Sequence, residues 1–214
     1  MRIKRAARAV WGYVRSAPGT YVWLGVILLT TIAVHRMSPQ FQEQFLRQRS
    51  TNLHELSDNP VRVLLASAMW LDGGYWLPYA VLYSVIHAPV ERWLGTLRWL
   101  AVAAGAHMLA TLISEGALLV AIERGVAPRS AVNTLDVGVS YALAGVAGVL
   151  TYRLRGRWRY VWAGGLLALF ATPLAVSATF TDLGHFTAVL LGLAAYPLTR
   201  GRRNPKGTAV ARTG

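Results

Sequence analysis

A serine hydroxyl becomes a nucleophile when an imidazole lies within about 3 Å of it in a hydrated pocket, and the pair needs no third member. Ser140 and His185 are candidates for such a pair, and each stands in an otherwise apolar stretch. Four acids stand in similar surroundings: Asp72, Glu115, Asp136 and Asp182. An ionisable group at the centre of a membrane helix costs at least about 2.5 kcal/mol, so several together require a reason. Asp136 precedes Ser140 by four residues and Asp182 precedes His185 by three, spacings that share a helix face. Either Asp is thus available to orient the imidazole or hold a water. The same residues have plainer readings. A serine in an apolar helix is commonly a packing residue or a backbone hydrogen bonder, and a buried His or Asp commonly joins two helices. His107 and Glu115, two turns apart, could form a packing or proton-linked pair, and the four acids could line a solute or proton pathway.

What must position these groups is a set of membrane spans. The chain has 214 residues, 54% hydrophobic and only 14% charged. A soluble domain carries about 25% charged residues, so lipid is the natural partner for much of this surface. At about 20 residues per crossing, the length accommodates six spans, which defines an all-α six-helix transmembrane bundle. The apolar blocks fall at about 20–35, 62–86, 99–121, 131–151, 160–178 and 182–198. The first lies behind a basic stretch without a clear cleavage site, which reads as an uncleaved span. The organisation expected is a basic leader over 1–19, a membrane domain over 20–199 and a disordered basic tail over 200–214. The polar segment from Arg36 to Pro60 includes Phe41, Phe45 and Leu46 at helical spacing, as a short helix on the membrane surface would. At 1.5 Å per residue, Asp72 lies about 15 Å, Ser140 about 14 Å and His185 about 5 Å from the outer ends of their spans. All three can share one water-accessible outer cavity.

The net charge of +13 has a membrane explanation as well. Sixteen of the twenty-two Lys and Arg residues fall in the leader, the second and fourth connections and the tail, which share one side if the span number is even. That pattern puts both termini in the cytoplasm and argues against nucleic acid as the partner. The Arg-rich, Lys-poor composition and the compact length point to a bacterial cytoplasmic membrane. There is no cysteine, which excludes disulfides, thiol chemistry and cysteine-ligated metals.

Taken in order, three segments carry a family resemblance over about residues 60 to 199. Gly138, Val139, Ser140 and Tyr141, followed by Gly145 and Gly148, resemble the Gly-x-Ser-Gly motif and glycine-rich face that open the fourth span of the rhomboid intramembrane serine proteases. Gly184 and His185, with Ala188 and Gly192 beyond, resemble that family's sixth span. Glu91, Gly95 and Arg98 match its Glu-x-x-x-Gly-x-x-Arg turn after the second span. The resemblance implies that Ser140 is the nucleophile and His185 the general base, with transmembrane proteins as substrates or clients and no metal or organic cofactor. It also implies small-residue contacts among Gly138, Gly145, Gly148, Ala188 and Gly192.

The sequence departs from the family in two places. The second-span pattern His-x-x-x-x-His-x-x-x-Asn, which supplies oxyanion-side donors, here reads Asp72, Leu77 and Val81. Tyr141 replaces the glycine after the serine, and its hydroxyl could stand in as an oxyanion donor or line the cavity beside Asp72, Asp136 and Asp182. The long first loop lacks a convincing Trp-Arg element, offering Arg47 and Arg49 beside Leu46. These departures leave a second expectation open, an inactive pseudoprotease that binds or guides membrane proteins.

Overall fold

The structure is a computed structural model that describes residues 2–71, 75–137, 139–177 and 179–202. Asp72, Gly138 and the tail beyond Arg202 therefore lie outside the described residues. Every regular element described is helical, as expected for a polytopic membrane protein. The basic leader forms helix α1 (Arg2–Arg15). Its Tyr13 hydroxyl donates to the Ser84 carbonyl at 2.8 Å, and the Arg92 guanidinium stands 4.8 Å above the Tyr13 ring.

Helix α2 (Pro18–His35) is the first span. Ala17 has no side chain with which to cap it, and Glu91 takes over that role from a distant segment. The Glu91 carboxylate accepts from the Gly19 and Thr20 N–H groups at 2.8 and 2.7 Å and from the Thr20 and Thr96 hydroxyls. An anion there also meets the positive end of the helix dipole. The polar connection folds as α3 (Pro39–Arg47) and α4 (Leu53–Asp58), so Phe41, Phe45 and Leu46 do lie on a helix. Arg49 lays its guanidinium 3.5 Å above the Phe45 ring and 5.7 Å from that of Trp70.

The second span is not the single helix expected over 62–86. It is divided into α5 (Pro60–Ser67) and a second stretch made of α6 (Trp76–Leu82), a π turn (Tyr83–His87) and α7 (Ala88–Leu94). The division falls between Ser67, the end of α5, and Trp76, the start of α6. The π turn precedes Pro89, which cannot donate to the Val85 carbonyl and whose ring crowds it, so the helix widens there. Side chains of α2 and α6 satisfy backbone across the break. Trp23 Nε1 donates to the Ala68 carbonyl, Thr30 Oγ1 to that of Met69, and Trp76 Nε1 to that of Leu24.

Helix α8 (Thr96–Glu123) has 28 residues and, at about 42 Å, more than spans a bilayer core. Against it pack α9 (Val139–Leu150) and α11 (Phe180–Ala194), while α10 (Arg157–Ser177) joins from the periphery. Only 6% of the apolar window of α10 is buried, so most of its surface is left for lipid. Among the described residues three helices, α2, α8 and α10, are long and apolar enough to cross a membrane, whereas α9 and α11 are shorter. The described part of α9 begins at Val139 rather than near 131, and residues Arg129–Asn133 form a 3-10 turn instead. The segment ahead of it is extended, and its Asp136 carbonyl accepts from the Thr51 N–H at 2.9 Å.

Small residues let the three inner helices meet. A side chain at Gly145 would run into Ala106 of α8, and one at Gly192 into the Gly145 carbonyl, while Gly148 lies against Val189 and Gly192. Ala188 is fully buried in the same seam. Four basic segments gather at one end of the bundle. Arg98 donates to the Leu198 and Arg200 carbonyls, Tyr152 to that of Leu193, and Tyr13 reaches Ser84 and Arg92. Gly95 turns the chain at this end with a φ of +84°, a conformation that favours glycine.

Candidate functional site

Ser140 is the second residue of α9, and its N–H has no carbonyl within the helix to bond. The residue is half-buried and lines a cavity of about 680 Å³. His185 lies one turn inside α11 and lines the same cavity. The remaining walls come from Leu82 and Ile86 of the second span, Ala144 and Ala147 of α9, and the inner edge of α10. Two residues distant in sequence therefore share one chamber between the second span and α10, although no hydrogen bond joins them. The imidazole is instead held between two rings, edge-on to Tyr141 at 4.9 Å and stacked on Phe170 at 5.6 Å. Phe170 is a contact that spacing alone does not reveal, because α10 reaches the site only through tertiary packing.

Tyr141 is fully buried and does not line the cavity. Its hydroxyl donates to Asp136 Oδ2 at 2.5 Å, and its ring occupies the space that Gly184 leaves by having no side chain. The phenol therefore points to the loop ahead of α9 rather than to the Ser140 hydroxyl. Asp136 lies ahead of the helix, so the expected helical stacking beneath Ser140 gives way to this Tyr141 contact. Asp182 belongs to a capping box. Its Oδ2 accepts from the Thr179 N–H at 3.1 Å and hydroxyl at 2.7 Å, while the Asp182 N–H donates to Thr179 Oγ1. That carboxylate starts α11, and no hydrogen bond joins it to His185. Leu77 and Val81, at the positions of the family's donors, are apolar and exposed.

The other buried polar groups lie apart from the cavity. His107 Nε2 is 2.8 Å from the Leu64 carbonyl and 3.2 Å from Ser67 Oγ. A ring nitrogen that donates to a carbonyl cannot also accept a serine proton, so this second Ser-His contact is a helix clamp between α5 and α8. Glu115 is 4% exposed, and no hydrogen bond joins it to His107. No group of three or more His, Cys, Asp or Glu side chains among the described residues is arranged to hold a metal ion.

Sequence comparison is consistent with this architecture. The family model described as Rhomboid-like protein matches residues 12–205, most of the chain. No curated protein and no solved structure matches it. The chain is matched over far more than half its length, through a stretch that includes Ser140, His185, Glu91, Gly95 and Arg98. It therefore belongs to the rhomboid-like family of membrane proteins.

Proposed function

We propose that this protein is an intramembrane serine endopeptidase that cleaves transmembrane substrates entering between the second span and α10. Its carrying observation is that Ser140 and His185 line one cavity, walled by Leu82 and Ile86 on one side and by α10 on the other. The chain crosses the membrane six times, counting α5 and α6–α7 as one broken span, with both termini in the cytoplasm of a cell whose inner membrane holds it. Residues 1–19 are a cytoplasmic leader, 20–199 the membrane domain and 200–214 a basic cytoplasmic tail.

In this reading Ser140 Oγ attacks the carbonyl carbon of the scissile peptide bond as His185 takes the hydroxyl proton. The tetrahedral oxyanion is met by N–H groups of the first turn of α9, above all that of Ser140, which have no intrahelical partner. His185 then returns the proton to the leaving amine, and water releases the acyl group from Ser140. Closing the bond requires the imidazole to approach the hydroxyl, as resting geometries of such pairs are commonly longer than the working ones. The short α9 favours access for water. With its Leu150 end at the Arg-rich face and a length of about 18 Å, its Ser140 end stops about 12 Å short of the far edge of a 30 Å hydrocarbon layer.

A second reading, a pseudoprotease that binds or guides membrane proteins through the same opening, is favoured by the apolar Leu77 and Val81 where side-chain donors stand in the family. Loss of one such donor costs a serine hydrolase about 100- to 1,000-fold in kcat. A fluorophosphonate that labels activated serines separates the two readings without demanding rapid turnover. The protease reading expects labelling that maps to Ser140 and disappears in both Ser140→Ala and His185→Ala. Equal cleavage of model transmembrane substrates by wild type and Ser140→Ala would overturn it.

A further inference from the structure

The cavity extends well beyond the Ser140 and His185 end. Along α10 its wall runs from Trp158 to Phe170, twelve residues or about 18 Å of helix. Every α10 residue in that wall is apolar or glycine. One leaflet contributes about 15 Å of the roughly 30 Å hydrocarbon layer. The groove thus has the length of one acyl chain, whereas a helix crossing both leaflets is about twice as long.

The end away from Ser140 is strongly basic. Leu154 and Trp158 line the cavity there, in a turn that also carries Arg153, Arg155, Arg157 and Arg159. The Arg157 guanidinium stands 5.4 Å above the Trp158 ring, so a full positive charge lies at the mouth of the groove. Arg155 and Arg157 are both exposed. Burial and the neighbouring Arg92 hold the Arg153 guanidinium below its ordinary value, a sign that positive charge accumulates here. Glu91, the neighbour of Arg92 in sequence, is occupied by Gly19, Thr20 and Thr96. Glu43 pairs with Arg47 at 2.7 Å in the polar connection at the opposite end.

We infer that the groove holds one acyl chain of an anionic phospholipid from the leaflet on the Arg-rich side. Its phosphate lies at Arg155 and Arg157, and its chain end reaches the floor beneath Ser140 and His185. A neutral lipid fills the same apolar wall but gains nothing from the two guanidiniums. An apolar helix entering between the second span and α10 has to displace this chain. The inference uses only the groove and its charges, so it stands whether or not Ser140 is a nucleophile.

Bromine on an acyl chain quenches tryptophan on contact, and Trp158 and Trp162 both face the groove. The test reconstitutes the full chain in phosphatidylcholine vesicles with a minor fraction of acyl-brominated phosphatidylglycerol or, at equal fraction, acyl-brominated phosphatidylcholine. Two basic residues at a membrane surface favour the anionic lipid by on the order of tenfold, so phosphatidylglycerol should quench at a correspondingly lower fraction. Trp158→Phe/Trp162→Phe should abolish this excess while the six other tryptophans remain. Arg155→Gln/Arg157→Gln, on exposed positions that leave the fold intact, should reduce phosphatidylglycerol to the phosphatidylcholine value. Equal quenching by both lipids in wild type overturns the inference, as does an excess that survives Arg155→Gln/Arg157→Gln. Quenching by neither lipid, the result if an apolar protein segment fills the groove, overturns it too.

Discussion

Tyr141 stands next to the candidate nucleophile, yet its one hydroxyl proton goes to Asp136, and the ring rather than the hydroxyl meets His185. Tyr141→Phe keeps that ring contact and leaves the Asp136 carboxyl without its donor. The expected result is a loss of about 1–3 kcal/mol in stability, read as a lower melting temperature in detergent, with fluorophosphonate labelling of Ser140 retained. Labelling lost at unchanged melting temperature would assign the hydroxyl to the oxyanion instead. Asp182 behaves differently, because its oxygen is committed to Thr179 in a helix cap, and its contribution is to the start of α11. Spacing placed Asp136 and Asp182 one turn from the reactive pair, but a turn's separation does not decide which way a side chain bends. Asp136 finds a phenol and Asp182 a hydroxyl, each closer to hand than the imidazole.

At the scale of elements, the bundle depends on contacts that link helix ends across the sequence. Glu91 is 2% exposed and accepts two N–H groups at the start of α2, so its removal leaves buried donors unpaired at the positive end of that helix. Hydrogen bonds to a charged group contribute about 1.5–3 kcal/mol each. Glu91→Ala should therefore destabilise the protein by about 3 kcal/mol or more, and Glu91→Gln by less, as measured by thermal unfolding in one detergent. Equal melting temperatures for Glu91→Ala and wild type would show that water replaces the carboxylate. The Glu-Gly-Arg turn was legible as a motif because its spacing is local. Its purpose was not, since Gly19, Thr20 and Leu198 lie far away in the chain and only packing brings them to it. The break in the apolar block at 62–86 has the opposite character: by hydropathy a run of that length reads as one continuous span, and the division between α5 and α6 is hidden in it.

At the scale of the molecule, the leader, the turns around Arg92 and Arg153 and the end of α11 converge on one face, and the polar connection with Asp136 lies at the other. The proposed orientation puts the basic face in the cytoplasm. Periplasmic and cytoplasmic reporters fused after Arg200 and at Ser57 should report opposite compartments, with Arg200 cytoplasmic; the same compartment for both would end the six-span reading. Charge counting anticipated this grouping because Lys and Arg resist crossing a membrane whatever the helices do between them.

Composition and hydropathy determined that the chain lives in a bilayer as a set of helices, because burial of apolar side chains against lipid depends on residue type and run length alone. The family resemblance went further and singled out Ser140, His185 and the glycines of α9 and α11 as candidates, where spacing alone gave no more than a polar outer cavity. Only the tertiary structure decided that Ser140 and His185 open onto one apolar groove, that Tyr141 turns to Asp136, and that Glu91 caps a distant helix. Each of those depends on which helices touch and at what depth, and contact between remote segments is set by packing, which local periodicity does not encode.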